Sequence, residues 1–333
     1  MIKVAINGFG RIGRNVLRAL YENGYKDKVQ IVAINDLAPT ESNVHLLQYD
    51  TTHGRFNAKL EYADDSISID GEKIPAFMQR DPAKLPCSDL AVDIVIECTG
   101  FFRARDKADL HLQAGAKKVL VSAPGKQLDA TIVYGVNHQQ LTASDRFVSN
   151  ASCTTNCLAH IAKAMNDSVG IESGLANTVH AYTNTQNLLD SYHKDKRRGR
   201  AANYSMIPTS TGSAKAIGSV IPELDGKLDA VAVRVPTLNV SLLDFTFTPI
   251  KTLDLETITS ILTDYAKGRE TVFELNQQPL VSIDFNHNPA SCIVDLAQTR
   301  ISGNLIKIQA WYDNEWGFSN RMLDTALAMA QSD

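Results

Sequence analysis

In the run Ser152-Cys153-Thr154-Thr155-Asn156-Cys157 a cysteine stands where a strand-like stretch, Arg146-Phe147-Val148-Ser149, gives way to a helical pattern beginning around Thr154. A thiol at such a junction lies in the positive field of the unpaired N–H groups of the helix start, which favours thiolate over thiol. Cys153 is therefore a candidate nucleophile. Taken alone it would better suit a buried cysteine acting as a small apolar side chain. Two further groups move the balance toward chemistry: His180, which ends the apolar run Asn177-Thr178-Val179, and a glycine-rich segment at the N-terminus.

That segment, Gly8-Phe9-Gly10-Arg11-Ile12-Gly13, follows an apolar run and opens a helical pattern, the context a dinucleotide fingerprint requires. Gly8, Gly10 and Gly13 permit a tight turn and let backbone N–H groups approach a pyrophosphate, which the helix N-terminus then stabilises. Asn35-Asp36 closes the second predicted strand about 20 residues further on, where an acid accepts from the adenosine ribose hydroxyls. A carboxylate there also repels a 2′-phosphate, so Asp36 favours NAD over NADP; outside this context it would read as a solvated turn acid.

The elements that must hold these residues follow from the patterning. At 333 residues, 44% hydrophobic and 21% charged, the chain has ordinary globular composition and a length that usually divides in two. In the first half, β-branched runs at 2–6, 29–35, 92–97, 118–122, 131–134 and 147–149 alternate with helical patterns at 11–23 and 106–114, the signature of a doubly wound parallel sheet. Residues 54–71 read as a small hairpin on the sheet edge. In the second half, strand patterns at 175–180, 230–235, 241–248, 280–285, 291–297 and 305–312 follow one another with fewer helices, pointing to a largely antiparallel sheet covered on one face. Helices are expected at 154–167, 210–220, 255–267 and 319–330. The fold class is thus α/β: a doubly wound Rossmann dinucleotide-binding domain at 1–152, to which a C-terminal helix at 318–333 returns, and an α+β catalytic domain at 153–317. This division would place Cys153 in an interdomain cleft, where ligands often bind.

Charge and cysteine usage narrow the partners. A formal net charge of -4 and a pI near 6.1 give no field that would gather nucleic acid or an anionic membrane, so the expected partners are small molecules. Five cysteines with no Cys-x-x-Cys pair suggest a reducing compartment and no metal site. No apolar run approaches the roughly 20 residues of a membrane span, and the opening run is too brief for a secretory signal. A cytoplasmic protein is expected.

The motifs together resemble the phosphorylating glyceraldehyde-3-phosphate dehydrogenases. The likeness runs from Asn7-Gly-Phe-Gly-Arg-Ile-Gly-Arg14 through Ser149-Asn-Ala-Ser-Cys-Thr-Thr-Asn-Cys157 and His180-Ala-Tyr-Thr183 to Trp311-Tyr-Asp-Asn-Glu-Trp-Gly317. The resemblance implies a homotetramer in which the Cys153 thiolate attacks an aldehyde, hydride passes to NAD, and inorganic phosphate releases the thioester as an acyl phosphate. It implies that His180 pairs with the thiolate and takes the hemiacetal proton, and that the Cys153 backbone N–H helps hold the oxyanion. By the same similarity Thr183 and Arg234 hold the substrate phosphate, while Ser152, Thr154, Thr211, Gly212 and Arg198 serve the attacking one. Arg80, Thr99, Phe101 and Ser122 match positions around the adenine and nicotinamide, and Asn314 the one that orients the carboxamide. Without the resemblance, residues 194–200 would be a solvated charge run, Arg234 a strand-edge charge and Asn314 a turn residue.

The chain departs from the family at Phe318, where many members have tyrosine, at Ser191-Tyr192, where NAD-specific members commonly have Leu-Pro, and at Thr185, where many have an acid. The second departure leaves NADP use open. The runner-up is the paralogous erythrose-4-phosphate dehydrogenase, which releases 4-phosphoerythronate with water; residues 279–287 and Trp316-Gly-Phe318 look like that family, whereas Tyr182-Thr183 and residues 210–216 look like the phosphorylating enzyme. A cofactor-free cysteine hydrolase would leave the glycine fingerprint unexplained. An RNA-binding or scaffold role would need a basic face or exposed aromatics.

Overall fold

The computed structural model describes residues 1–332. The chain forms two units, one of residues 1–151 with 319–332 and one of residues 152–318.

The first unit is built on a nine-stranded sheet. Across it the order is Ala130–Thr131, Phe147–Ser149, Lys118–Val121, Ile94–Glu97, Ile2–Asn7, Val29–Asn35, Glu72–Phe77, Ser66–Ile69 and Leu60–Ala63. The first seven strands run parallel, which requires crossovers such as the helices Arg11–Glu22 and Arg105–Gln113, and only the last two join as an antiparallel hairpin. Strands covered on both faces have no polar side, and Val4, Ile6, Val95, Ile96, Val119 and Leu120 are all buried. Ile2–Asn7 sits where the winding reverses: the chain builds outward on one side through Val29–Asn35, then on the other through Ile94–Glu97. The crevice at the carboxyl ends of the strands at such a switch point is where doubly wound folds bind ligands. The helix Trp316–Gln331 lies with this unit from Ser319 onward. Tyr25 Oη donates to Asp324 at 2.9 Å, Thr325 Oγ1 to Asn150 at 2.7 Å and Lys118 Nζ to the Met329 carbonyl at 2.6 Å.

The second unit holds a seven-stranded sheet in the order Ile207–Ser210, Leu228–Val235, Ile171–Ala181, Ser241–Pro249, Leu305–Tyr312, Cys292–Ser302 and Phe273–Asn276. It is mostly antiparallel; Leu228–Val235 pairs in parallel with Ile171–Ala181, and Phe273–Asn276 with Cys292–Ser302. Ser241–Pro249 alternates strictly, burying Leu243, Phe245 and Phe247 on the face covered by the helix Cys153–Val169, while Ser213–Val220 packs on Leu228–Val235 and Leu255–Ala266 on Phe273–Asn276 and Cys292–Ser302.

Some sequence expectations fail locally. Residues 280–285 are not a strand: Asp284 accepts from the Val281 N–H at 2.8 Å and closes a short 3-10 turn, Ser282–Phe285, that leaves Val281 and Ile283 exposed. The strand in that region is Phe273–Asn276. The helix expected at 210–220 begins at Ser213, because Ile207–Ser210 extends the sheet first. The helix Thr40–Gln48 and the strand Glu72–Phe77 were not foreseen. Residues 54–71 do contain a hairpin at the sheet edge.

Candidate active site

Cys153 is the first residue of its helix, and the chain reaches it through a forced bend. Ala151 takes a φ of 56°, left-handed backbone that costs an alanine on the order of 1 kcal/mol, and Ser152 returns to the extended region as the N-cap. The Ser152 Oγ accepts from the Thr155 N–H at 3.1 Å. One turn on, Cys157 is fully buried, and burial together with the neighbouring Cys292 thiol pushes its pKa up. Cys153 by contrast keeps partial exposure. Its first turn is braced from below: Tyr312 Oη lies 2.8 Å from Thr154 Oγ1 and 2.7 Å from Thr178 Oγ1.

His180 Nε2 stands 3.5 Å from Cys153 Sγ. The two residues are brought together by the sheet and the helix packed on it. Behind the ring, Nδ1 lies 2.7 Å from the Ala181 carbonyl oxygen and 2.6 Å from Arg234 Nη1, which also donates to that carbonyl at 2.9 Å. Arg234 is there because it is the register partner of His180 on the adjacent parallel strand. Burial and then the Arg234 charge pull the imidazole pKa down to about 3. The Cys153 thiol is pushed up by burial, against the lowering pull of Arg234 and Thr154. Burial thus opposes the charged form of both groups, while Arg234 favours a thiolate at Cys153.

The proposed anion ligands cluster only in part. Arg198 is half-buried in a run whose Lys194, Lys196, Arg197 and Arg200 are exposed, so the solvated-run reading describes its neighbours and not it. Its Nε donates to Thr209 Oγ1 at 2.9 Å and its Nη2 to the Ser210 carbonyl at 3.2 Å, which sets the guanidinium just before Thr211. Thr211 Oγ1 is 2.8 Å from Ser213 Oγ, and Gly212 is the N-cap of Ser213–Val220. Arg198 and Arg234 are close enough for one charge to depress the pKa of the other. Arg234 Nε is buried and has no hydrogen-bond partner, a donor of the type that suits an anion. The Thr183 hydroxyl bonds to that of Thr185, 3.0 Å away, and not to Arg234.

In the other unit, the residues matched to the cofactor gather at the carboxyl ends of parallel strands. Gly8 has a φ of 91°, where a Cβ would come within 2.7 Å of the Thr99 nitrogen, and a Cβ on Gly13 would come within 2.2 Å of the Gly8 carbonyl oxygen. Those two glycines are demanded by packing. Gly10 differs: it caps Arg11–Glu22 with no side-chain bond, the first turn carries no acid, and a Cβ there would meet nothing within 4 Å. The approach to this helix start is thus clear of side chains at Gly10, which fits a dinucleotide pyrophosphate. Asp36 Oδ2 accepts from the Phe9 N–H at 2.7 Å and Oδ1 from Ala38 N–H at 2.9 Å, tying the second strand to the glycine turn while each oxygen keeps a lone pair for a hydroxyl. Thr99 follows Ile94–Glu97 and donates through its N–H to Glu97 at 2.7 Å; Ser122 follows Lys118–Val121. Arg80 and Phe101 are exposed, Arg11 is paired with Asp50, and Ile12 is half-buried.

Asn314 is buried in the C-terminal unit, its Oδ1 accepting from Ser241 Oγ at 2.9 Å. The turn role belongs to Asp313 instead, which accepts from the Glu315 and Trp316 N–H groups through one oxygen and from Asn239 and the His287 N–H through the other. Asp313, Ser241 and Tyr312 are positioning residues the sequence reading missed; two of them lie inside the Trp311 to Gly317 motif it quoted. Among the described residues no group of three acidic, histidine or cysteine side chains could hold a metal ion.

A nicotinamide-type crevice and a thiol beside an imidazole define a thiol-dependent oxidoreductase of aldehydes. Comparison with known proteins agrees. Residues 2–105 match the family described as glyceraldehyde 3-phosphate dehydrogenase, NAD binding domain, and residues 152–314 match its C-terminal domain. The chain is 57% identical over 329 residues to a glyceraldehyde-3-phosphate dehydrogenase of Pseudomonas aeruginosa, covering 99% of this chain and 98% of that one. It is 56% identical over 333 residues to the chromosomal enzyme of Cupriavidus necator, covering 99% of both. The chain belongs to the glyceraldehyde-3-phosphate dehydrogenase family.

Proposed function

We propose that the chain oxidises D-glyceraldehyde 3-phosphate to 1,3-bisphosphoglycerate with NAD and inorganic phosphate. The observation that carries this reading is Cys153 Sγ at 3.5 Å from His180 Nε2 with Arg234 directly behind the ring. The sulfur attacks the aldehyde carbon as its proton passes to His180 Nε2, giving a thiohemiacetal whose oxyanion the Cys153 N–H can hold. His180 returns that proton to the oxyanion and, neutral again, takes the hydroxyl proton back as hydride leaves the same carbon; bound NAD would supply the hydride acceptor. The product is a thioester, which keeps enough free energy for phosphate attack to yield an acyl phosphate.

Arg234 and Thr183 are assigned to the substrate phosphate. Ser152, Thr154, Arg198, Thr211 and Gly212 are assigned to the attacking one, with Ser152 contributing beyond the cap bond its oxygen already makes. Gly8, Gly10, Arg11, Ile12, Gly13, Asp36, Arg80, Thr99, Phe101 and Ser122 are assigned to NAD, and Asn314 to its carboxamide. Intact mass measurement tests the scheme: mixed with aldehyde and NAD without phosphate, the protein should carry one acyl group on Cys153, and added phosphate should remove it. An acyl group that water removes as fast would instead support release as 4-phosphoerythronate from the four-carbon sugar.

We further propose a cytoplasmic homotetramer. Leu188, Leu189, Tyr192, Tyr204 and Met206 crowd one segment with 65–95% exposure, an apolar surface a soluble protein usually covers with a partner. No helix among the described residues is long and apolar enough to cross a membrane.

A further inference from the structure

The carboxyl ends of three neighbouring parallel strands carry a row of buried polar side chains. Asn35, Asn7 and Glu97 are register partners on Val29–Asn35, Ile2–Asn7 and Ile94–Glu97, and none is more than 6% exposed. Every bond along the row is directional. The Gln79 N–H donates to Asn35 Oδ1 at 2.8 Å, while Asn35 Nδ2 donates to the Gln79 carbonyl at 2.8 Å and to Asn7 Oδ1 at 2.7 Å; Asn7 Nδ2 then donates to Glu97 Oε2 at 2.6 Å. From the other side the Thr99 N–H donates to Glu97 Oε1 at 2.7 Å, and the Thr99 hydroxyl, which accepts from the Phe101 N–H at 3.1 Å, gives its proton to the same oxygen. The row starts on a backbone N–H at each end, and a backbone donor cannot turn round as a side-chain amide can. Two series of donors running toward each other must meet on a group that only accepts, and that group is the Glu97 carboxylate. His111, fully buried on Arg105–Gln113, agrees with this. Its Nε2 lies 3.0 Å from Glu97 Oε2 and its Nδ1 is buried without a partner, so the proton of a neutral ring sits on Nε2 and makes one more donor.

We propose that Glu97 is a positioning residue for NAD: its buried negative charge sets the polarity of the whole row and so holds the backbone at Gln79 and Arg80, the glycine turn and Thr99 in place together. The inference rests on the assignment of Gly8, Arg80 and Thr99 to the cofactor given above. Each member of the row adjoins one of those residues. Gln79 precedes Arg80; Asn7 precedes Gly8, whose own N–H donates to the Asn35 carbonyl at 2.8 Å; and Thr99 packs so tightly on Gly8 that a Cβ there would come within 2.7 Å of its nitrogen. A buried carboxylate with no lysine or arginine among these donors is costly to desolvate, yet no neutral group of the same shape can replace it. With glutamine at position 97, turning its oxygen to Thr99 sets its NH2 against that of Asn7. Reversing Asn7 passes the conflict to Asn35, and reversing Asn35 sets its NH2 against the Gln79 N–H and its oxygen against the Gln79 carbonyl. Turning the oxygen to Asn7 instead sets the NH2 against the Thr99 N–H. The mismatch can be moved along the row but not removed, so a segment assigned to the cofactor must shift.

Isothermal titration of the full-length protein with NAD tests this in three forms: unsubstituted, Glu97→Gln, and Glu97→Gln combined with Asn7→Asp. The single substitution keeps the side chain's size and removes its charge; it should weaken NAD binding about tenfold or more, the usual effect of losing a buried bond to a charged group, and raise the KM for NAD in step. The double substitution moves the acceptor-only group one strand along. The new carboxylate at position 7 accepts from Asn35 and from the new amide at position 97, whose oxygen takes both Thr99 donors and whose second proton goes to the His111 ring in its other tautomer. Most of the lost affinity should return. Iodoacetamide labelling of Cys153 without NAD should proceed alike in all three, because the row lies in the other unit. Unchanged NAD binding in Glu97→Gln would overturn the proposal, as would a double variant that binds no better than the single one or that fails to fold. A single variant that does not fold, beside a double one that folds and binds NAD, supports it. Weakened binding matched by an equal change in Cys153 labelling would mark a general loosening and overturn the positioning role. An unsubstituted protein that binds no NAD would instead sink the cofactor assignments themselves, and the proposal with them.

Discussion

At Cys153 and His180 the same burial acts with opposite sign on an acid and a base, raising one pKa and lowering the other. Cys153→Ser should keep NAD binding and lose nearly all turnover, because a hydroxyl is far less ionised than a thiol; retained NADH formation would contradict the nucleophile assignment. His180→Asn should slow acylation by about 10²–10⁴-fold in a rapid-mixing measurement. The same substitution has a stability signature. A histidine held at a pKa of about 3 when folded, against ~6.5 unfolded, leaves stability intact above pH ~6.5 and withdraws it as pH falls toward 3. The loss is on the order of a few kcal/mol across that window, and denaturant midpoints measured against pH should fall less steeply in His180→Asn than in the parent. Tyr312→Phe removes the hydroxyl shared by Thr154 and Thr178 and strands both; it should cost about 1–3 kcal/mol in a melting experiment and reduce turnover by loosening the Cys153 turn.

Three of the six non-glycine residues with left-handed backbone lie beside the candidate site. Ala151, Val240 and His287 all have φ between 56° and 67°; the first precedes the Ser152 cap, the second lies between Asn239 and Ser241, and the third gives its N–H to Asp313. For a β-branched residue such as Val240 this is a real strain, sustained by the hydrogen bonds on both sides. Asp313→Ala should therefore disturb the Asn314 turn and weaken NAD binding more than it affects thiol labelling, which isothermal titration and iodoacetamide kinetics can separate. At the glycine turn, Asp36→Ala should lower the preference for NAD over NADP, since it removes both a hydroxyl acceptor and a repulsive charge; an unchanged cofactor ratio would refute the ribose role. Much of this architecture was legible because β-branched runs and glycine punctuation are local signals: Val29–Asn35, Phe147–Ser149 and Leu305–Tyr312 have the bounds their patterns predict. Leu280 to Phe285 misled because its alternation mimics a strand, while Asp284 turns it back on itself. The His180 and Arg234 contact was hidden, since it arises from a parallel pairing across 53 intervening residues that no local pattern announces.

Over the whole molecule, a net charge of -4 leaves phosphate recognition to a few placed cations, and Arg198 and Arg234, the two proposed for it, are close enough to feel each other. Two anion sites have a purpose only if phosphate, and not water, ends the reaction. The likeness to glyceraldehyde-3-phosphate dehydrogenases spans nearly the full chain, so both units are expected to serve that one reaction. The most direct measurement is steady-state NADH formation with glyceraldehyde 3-phosphate and with erythrose 4-phosphate, each across a titration of inorganic phosphate. The account predicts turnover of the three-carbon substrate that rises steeply with phosphate, arsenate substituting for it, much poorer use of the four-carbon sugar, and an apparent phosphate requirement raised by Arg198→Ala. Equal rates with and without phosphate, together with a preference for erythrose 4-phosphate, would contradict it.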